Sequence, residues 1–185
     1  MSTVPPDIQD YFTRSPIALA LASMAGDNPL VLVNERFCKL TGYRPEEVVG
    51  QNCRFLQGDA DNEDALKKIH TFLRNDEAPN VRTTIVNFRK DGTPFINLLY
   101  MSKLRGRDSN TGFLFASQFD VSRSQVDLLA QYDAELARTL TAAKPLLSES
   151  GLIVDGSLIT IANSATVIAQ AKLLLATLNE AQPGA

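Results

Sequence analysis

Gly50-Gln51-Asn52-Cys53-Arg54-Phe55-Leu56-Gln57-Gly58 sets one thiol among three side-chain amides, a guanidinium and two large apolar residues. A lone cysteine in an intracellular protein usually behaves as a small buried hydrophobe. Cys38, on the apolar face of a short helix around Phe37 to Leu40, reads that way. Cys53 sits differently, with polar groups of both kinds beside it, and the segments on either side of it show what kind of domain holds it.

Upstream, the apolar runs Ile17 to Ala22 and Leu30 to Val33 flank the turn signal Gly26-Asp27-Asn28-Pro29, which predicts a pair of strands. Short helices follow at Glu35 to Leu40, at Pro45 to Val49 with Pro near the start and Gly50 at the end, and at Asn62 to Leu73, where Leu66, Ile69 and Leu73 share a face. Downstream, Val81 to Phe88, Thr93 to Leu104 and Gly112 to Phe119 read as strands, the first two joined by the hairpin turn Asp91-Gly92. This order predicts an α+β fold: a five-stranded antiparallel sheet with a helical face.

The composition breaks near Val121. All nine Phe residues lie between Phe12 and Phe119, whereas residues 122–185 hold Tyr132 as their only aromatic. Val126, Leu129, Tyr132, Leu136, Leu140, Ala143 and Leu147 recur at spacings of three and four, predicting a long amphipathic helix that Pro145 ends or kinks. Leu158, Ile161, Ala165, Ile168 and Leu175 predict a second helix after a turn from Ser148 to Gly156. The tail is therefore expected to be a helical hairpin whose stripe packs on its partner helix, on the sheet or on another protomer. Three regions result: an arm with a short helix near Asp7 to Arg14 in residues 1–16, a mixed domain over 17–121, and a helical extension over 122–185.

Eighteen Lys and Arg against 21 Asp and Glu give a net charge of -3, and the tail carries four against six, so no basic surface calls for nucleic acid. The apolar stretches are too short or too interrupted for a membrane span. Two cysteines, no signal peptide and one histidine predict a cytoplasmic protein with reduced thiols and no metal site.

The nine-residue segment resembles the GxNCRFLQG motif of the LOV (light-oxygen-voltage) domains, flavin-binding blue-light sensors within the PAS fold. The likeness extends from about Ile17 to Asp120 through Asp27-Asn28-Pro29, Phe37, Leu40-Thr41-Gly42-Tyr43, Asn87-Phe88, Asp91-Gly92, Asn97 and Gln118-Phe119-Asp120. It implies a bound flavin, FMN in the first place, whose polar edge would meet Asn28, Asn52, Gln57, Asn87, Asn97 and Gln118, since amides offer donors and acceptors without charge. Apolar walls would come from Leu56, Leu66, Ile69, Leu73, Leu99, Met101, Leu114 and Ala116, and Arg54 would pair with the phosphate. His70 stands where plant phototropin-type members carry a second phosphate-binding Arg, which leaves riboflavin or FAD open as cofactors.

The photochemistry that the resemblance implies is a reversible bond between Cys53 and flavin C4a, with Gln118 responding at N5. The only histidine lies inside the sensor region, so the tail is not a histidine kinase, and the chain is expected to be a sensor and not an enzyme. It is similar to bacterial short LOV proteins, which act through dimerisation or a separate partner. A homodimer through the terminal helices, including Ile8 to Phe12, is therefore expected, with an unidentified downstream protein as a further partner. The rival reading is a PAS-like flavin-binding or dimerisation module with vestigial photochemistry. A flavin redox enzyme is disfavoured because no Gly-rich dinucleotide fingerprint occurs.

Overall fold

A computed structural model describes residues 4–106, 112–154 and 164–181. The chain begins with helix α1 (Pro6–Arg14) and strands β1 (Ala18–Ser23) and β2 (Leu30–Val33). Helices α2 (Glu35–Thr41) and α3 (Pro45–Val48), a 3-10 turn (Cys53–Gln57) and helix α4 (Glu63–Arg74) follow. Strands β3 (Asn80–Phe88), β4 (Pro94–Gly106) and β5 (Gly112–Asp120) complete the mixed domain. A second 3-10 turn (Val121–Arg123) leads to α5 (Val126–Glu149), β6 (Leu152–Val154) and α6 (Ser164–Ala181).

The five expected strands form one antiparallel sheet in the order β2-β1-β5-β4-β3. Helix α2 is joined to β1 by Asn34. The side-chain oxygen of this buried residue accepts from the Phe37 amide at 3.0 Å, capping α2, and from the Leu19 amide at 3.0 Å, while its nitrogen donates to the Ile17 carbonyl at 2.8 Å. One side chain thus starts a helix and ties it to β1. Gly42, with φ +79°, ends the same helix in the left-handed conformation.

The tail departs from a plain helical hairpin. Between the two helices lies β6, which pairs antiparallel with Leu104 to Gly106 of β4 and makes the sheet six-stranded. Strand β4 outruns β3, whose pairing stops at Ser102, so its last residues have a free edge that the short apolar run Leu152-Ile153-Val154 fills. The expected turn residues 155 and 156, and Leu158 and Ile161 of the expected second helix, lie outside the described residues. Pro145 does not end α5. It and Thr141, whose carbonyl loses its donor, both face solvent, where water replaces the missing bond.

The amphipathic stripe of α5 packs on the sheet of its own chain. Leu129, Tyr132, Leu136, Leu140 and Leu147 are buried in one core with Ile8 and Phe12 of α1, Leu19 and Leu21 of β1, Phe113 and Phe115 of β5, and Ile168 of α6. Val126, at the start of the stripe, stays exposed. The α1 face expected at a dimer interface is likewise covered within the chain: Phe12 meets Phe115 edge to face at 6.1 Å. Among the described residues no helix is long and apolar enough to cross a membrane.

Candidate functional site

The other face of the sheet bounds a cavity of about 730 Å³, counting its open mouth. The Cys53 turn, α4 and the inward side chains of all strands but β6 line it. The backbone around the thiol is held on both sides. The Leu30 amide donates to the Gln51 carbonyl and the Gly50 amide to the Leu30 carbonyl, both at 2.8 Å. The Asn52 side chain caps the turn by accepting from the Arg54 amide at 2.9 Å and donates its own N–H to the Asp27 carbonyl. Gly58 closes the segment at φ +53°, and a Cβ there would stand 2.8 Å from the Phe88 ring, so both conformation and space demand glycine.

Two cysteines now separate by position. Cys53 lines the cavity, and desolvation pushes its thiol up to about 12, so sulfur keeps its proton throughout the neutral range. Cys38 packs on the apolar cluster around Phe37 and does not line the cavity.

Three strands each contribute one buried amide. The Asn97 nitrogen donates to the Asn87 oxygen at 2.9 Å, and the Asn97 oxygen accepts from the Phe119 amide at 3.3 Å. Asn87 donates to the Val86 carbonyl at 2.9 Å. Gln118 lies on the neighbouring strand, only 3% exposed, and its carbonyl oxygen has no hydrogen-bond partner among the described residues. Leaving such an atom unmade costs about 1–3 kcal/mol, and the cavity it lines supplies room for a donor. The walls are apolar: Ile69, Leu73, Ile85, Leu99, Met101, Leu114 and Ala116. Among the described residues Arg54 is the one charged residue in the lining, and its exposed guanidinium pairs with Asp27.

Asn28, Asn52, Gln57 and the remaining expected contacts share this cavity, with three exceptions. Leu56 is fully buried behind the turn with Phe37 and Val48. Leu66 packs beside Ala65 and Ile69 without reaching the lining. His70 follows Ile69 directly, about 100° further round α4, and is therefore exposed to solvent. Ala20, Ala22, Leu30 and Ile85 line the cavity without having been singled out. Period-two alternation on β1 was the available signal, since Ala20 and Ala22 pair with Ala116 and Leu114 of β5. Among the described residues no cluster of His, Cys, Asp and Glu could hold a metal ion.

This arrangement of a sheet, a thiol-bearing turn and a lined hollow coincides with a family match: residues 17–123 fit the PAS domain model. The chain belongs to the PAS family. Over 131 residues it is 37% identical to blue-light-activated histidine kinase 2 of Erythrobacter litoralis, covering 70% of this chain and 37% of that protein. It is 35% identical over 120 residues to a blue-light photoreceptor of Listeria monocytogenes, covering 65% of this chain and 44% of that one. The chain thus spans less than half the length of either relative. The crystal structure of the Rhodobacter sphaeroides LOV protein superposes with a TM-score of 0.68 at 28% identity, covering 95% of this chain and 96% of that one. Within the PAS family, then, this is a LOV protein.

Proposed function

We propose that the chain is a blue-light sensor whose cavity holds a flavin and whose Cys53 bonds to it reversibly in the light. The observation that carries the reading is the meeting, in one largely apolar cavity, of the Cys53 thiol and the buried Gln118 carbonyl that has no partner among the described residues. Bound there, a flavin supplies absorption of blue light and, once excited, a ring carbon open to a thiol.

The protein's part is to hold and orient. Asn87, Asn97 and Gln118 retain unused donor and acceptor capacity for a polar ring edge, and the aliphatic walls suit a flat apolar ring. FMN is the favoured form, with Arg54 exchanging Asp27 for the phosphate; riboflavin, which has no phosphate, and FAD are the alternatives. Cys53 delivers sulfur and proton together because burial keeps it un-ionised. Gln118 can turn its amide over when the group it faces changes from acceptor to donor, which moves the effect into β5. Output then passes to α5, which follows β5 after one 3-10 turn, and to a second copy or a partner protein. Val126 and Leu128 of α5 and Leu173 and Leu174 of α6 are the large apolar side chains these helices leave exposed among the described residues.

The test is spectroscopic. Purified with flavin, the protein should lose its blue absorption under blue light and regain it in darkness. Cys53→Ala should keep the flavin and lose the response entirely, while Cys38→Ala should behave as the parent. Reversible bleaching in Cys53→Ala would overturn the assigned thiol, and a flavin-bound parent that never bleaches would leave a binding module.

A further inference from the structure

Ser117, Gln118 and Phe119 are consecutive on β5, yet they divide between the two faces of the sheet. Gln118 lines the cavity, while Ser117 shares a hydrogen bond with the Tyr132 phenol of α5, and Phe119 stacks on the same ring at 4.5 Å and 20°. The serine is fully buried and the tyrosine nearly so. One residue later on the helix, Asp133 pairs with Arg82 of β3, whose guanidinium lies 6.0 Å from the centre of the Tyr132 ring. Arg82, Tyr100 and Ser117 are register partners in one row across β3, β4 and β5. A polar row thus crosses a largely apolar seam, bounded along the helix by the fully buried Leu129 and Leu136.

The two kinds of contact respond differently to movement. Apolar burial is non-directional, so Leu129 and Leu136 tolerate a small shift of the strand. A hydrogen bond weakens steeply with distance and angle, so the Ser117 to Tyr132 contact does not. We propose that this hydroxyl pair is where α5 reads Gln118, and that Tyr132 is a positioning residue for the cavity. The proposal rests on the photoreceptor reading above and adds its output contact. Coupling between sites is reciprocal: if the cavity moves α5 through this pair, the docked helix in turn sets flavin affinity and the balance between dark and light states.

Four full-length proteins test it: the parent, Tyr132→Phe, which keeps the stacked ring, Ser117→Ala, and the double variant. Removing one buried hydroxyl contact should raise amide exchange in α5 in the dark roughly fivefold. It should also shift the dark-recovery rate severalfold and shrink the light-induced change in α5 exchange. The double variant should be no worse than either single variant, because the bond is lost only once and no hydroxyl is then left buried without its partner. Additive effects, or faster α5 exchange with unchanged recovery and an unchanged light response, would overturn the link. A parent that does not bleach defeats the photoreceptor reading instead. The flavin dissociation constant across the same four proteins then decides, and an identical constant in all four removes Tyr132 from any role in the cavity.

Discussion

Leu114, Ala116 and Gln118 point into the cavity, whereas Phe113, Phe115, Ser117 and Phe119, alternating with them on the same strand, meet the terminal helices. The helix side is the more tightly packed: Leu19, Leu129 and Leu136 have no exposed surface, and its cavity between α1, α5 and the sheet is about 360 Å³, half that of the other face. The cavity side is a hollow whose amides are only partly paired and whose aliphatic walls are in part exposed. One strand therefore serves stability on one face and ligand binding on the other, and only side-chain alternation separates the two tasks.

Matched truncations should expose that asymmetry most strongly. Leu136→Ala removes a side chain held on all sides and should cost about 2–5 kcal/mol. Leu99→Ala, on a wall that already borders open space, should cost less, about 1–2 kcal/mol in the protein without ligand, since part of its surface is not buried to begin with. Urea unfolding of both variants gives the comparison. Equal losses would mean that the hollow is as tightly packed as the helix side.

The same asymmetry decided what could be read from the sequence. Asn87 and Asn97 stood out because an amide inside an apolar strand is costly unless something polar answers it, and the structure brings both to one cavity wall with Gln118. Ala20 and Ala22 did not, because an alanine in an apolar run looks alike whether it faces a core or a hollow. The stripe on α5 was legible as a stripe, but its destination was not: Leu129 or Leu136 would look the same packed on a sheet or on a second chain. Strand β6 was missed because three apolar residues after a helix carry no period, and its pairing depends on how far β4 outruns β3.

Alkaline unfolding separates the faces by their titrating groups. Burial raises Cys53 from 9.0 to about 12, and it raises Tyr132 from 10.0 to about 12. Above pH 9 the unfolded chain gives up the Cys53 proton while the folded chain keeps it. The unfolded state then binds fewer protons, and stability falls as pH rises, by at most about 1.4 kcal/mol per unit, until the folded thiol ionises as well. Tyr132 adds the same sign from pH 10. Cys38, raised by desolvation and by Glu46, also adds to the slope, so the difference between variants is the measurement. Cys53→Ala should flatten the slope from pH 9 upward, and Tyr132→Phe should act only above 10. A flavin-loaded parent should bleach to the same extent from pH 6 to 8, because its thiol stays protonated across that range.

The smallest effect belongs to His70, and its smallness tests where the cavity ends. Were His70 beside a bound phosphate, His70→Arg would add a forked charge-assisted contact and favour FMN over riboflavin strongly. Instead the residue sits on the solvent side of α4, one position past Ile69, so a guanidinium there acts through water and salt. Competition between FMN and riboflavin should then change by less than about twofold, as for a typical exposed charge worth a few tenths of a kcal/mol. Arg54 lines the cavity, and Arg54→Gln should lower the FMN preference by about three- to fivefold, since its guanidinium is exposed and must give up Asp27 to meet a phosphate. A large gain from His70→Arg would show that the bound phosphate reaches round α4, and would shift the boundary between the ligand face and solvent by one helical position.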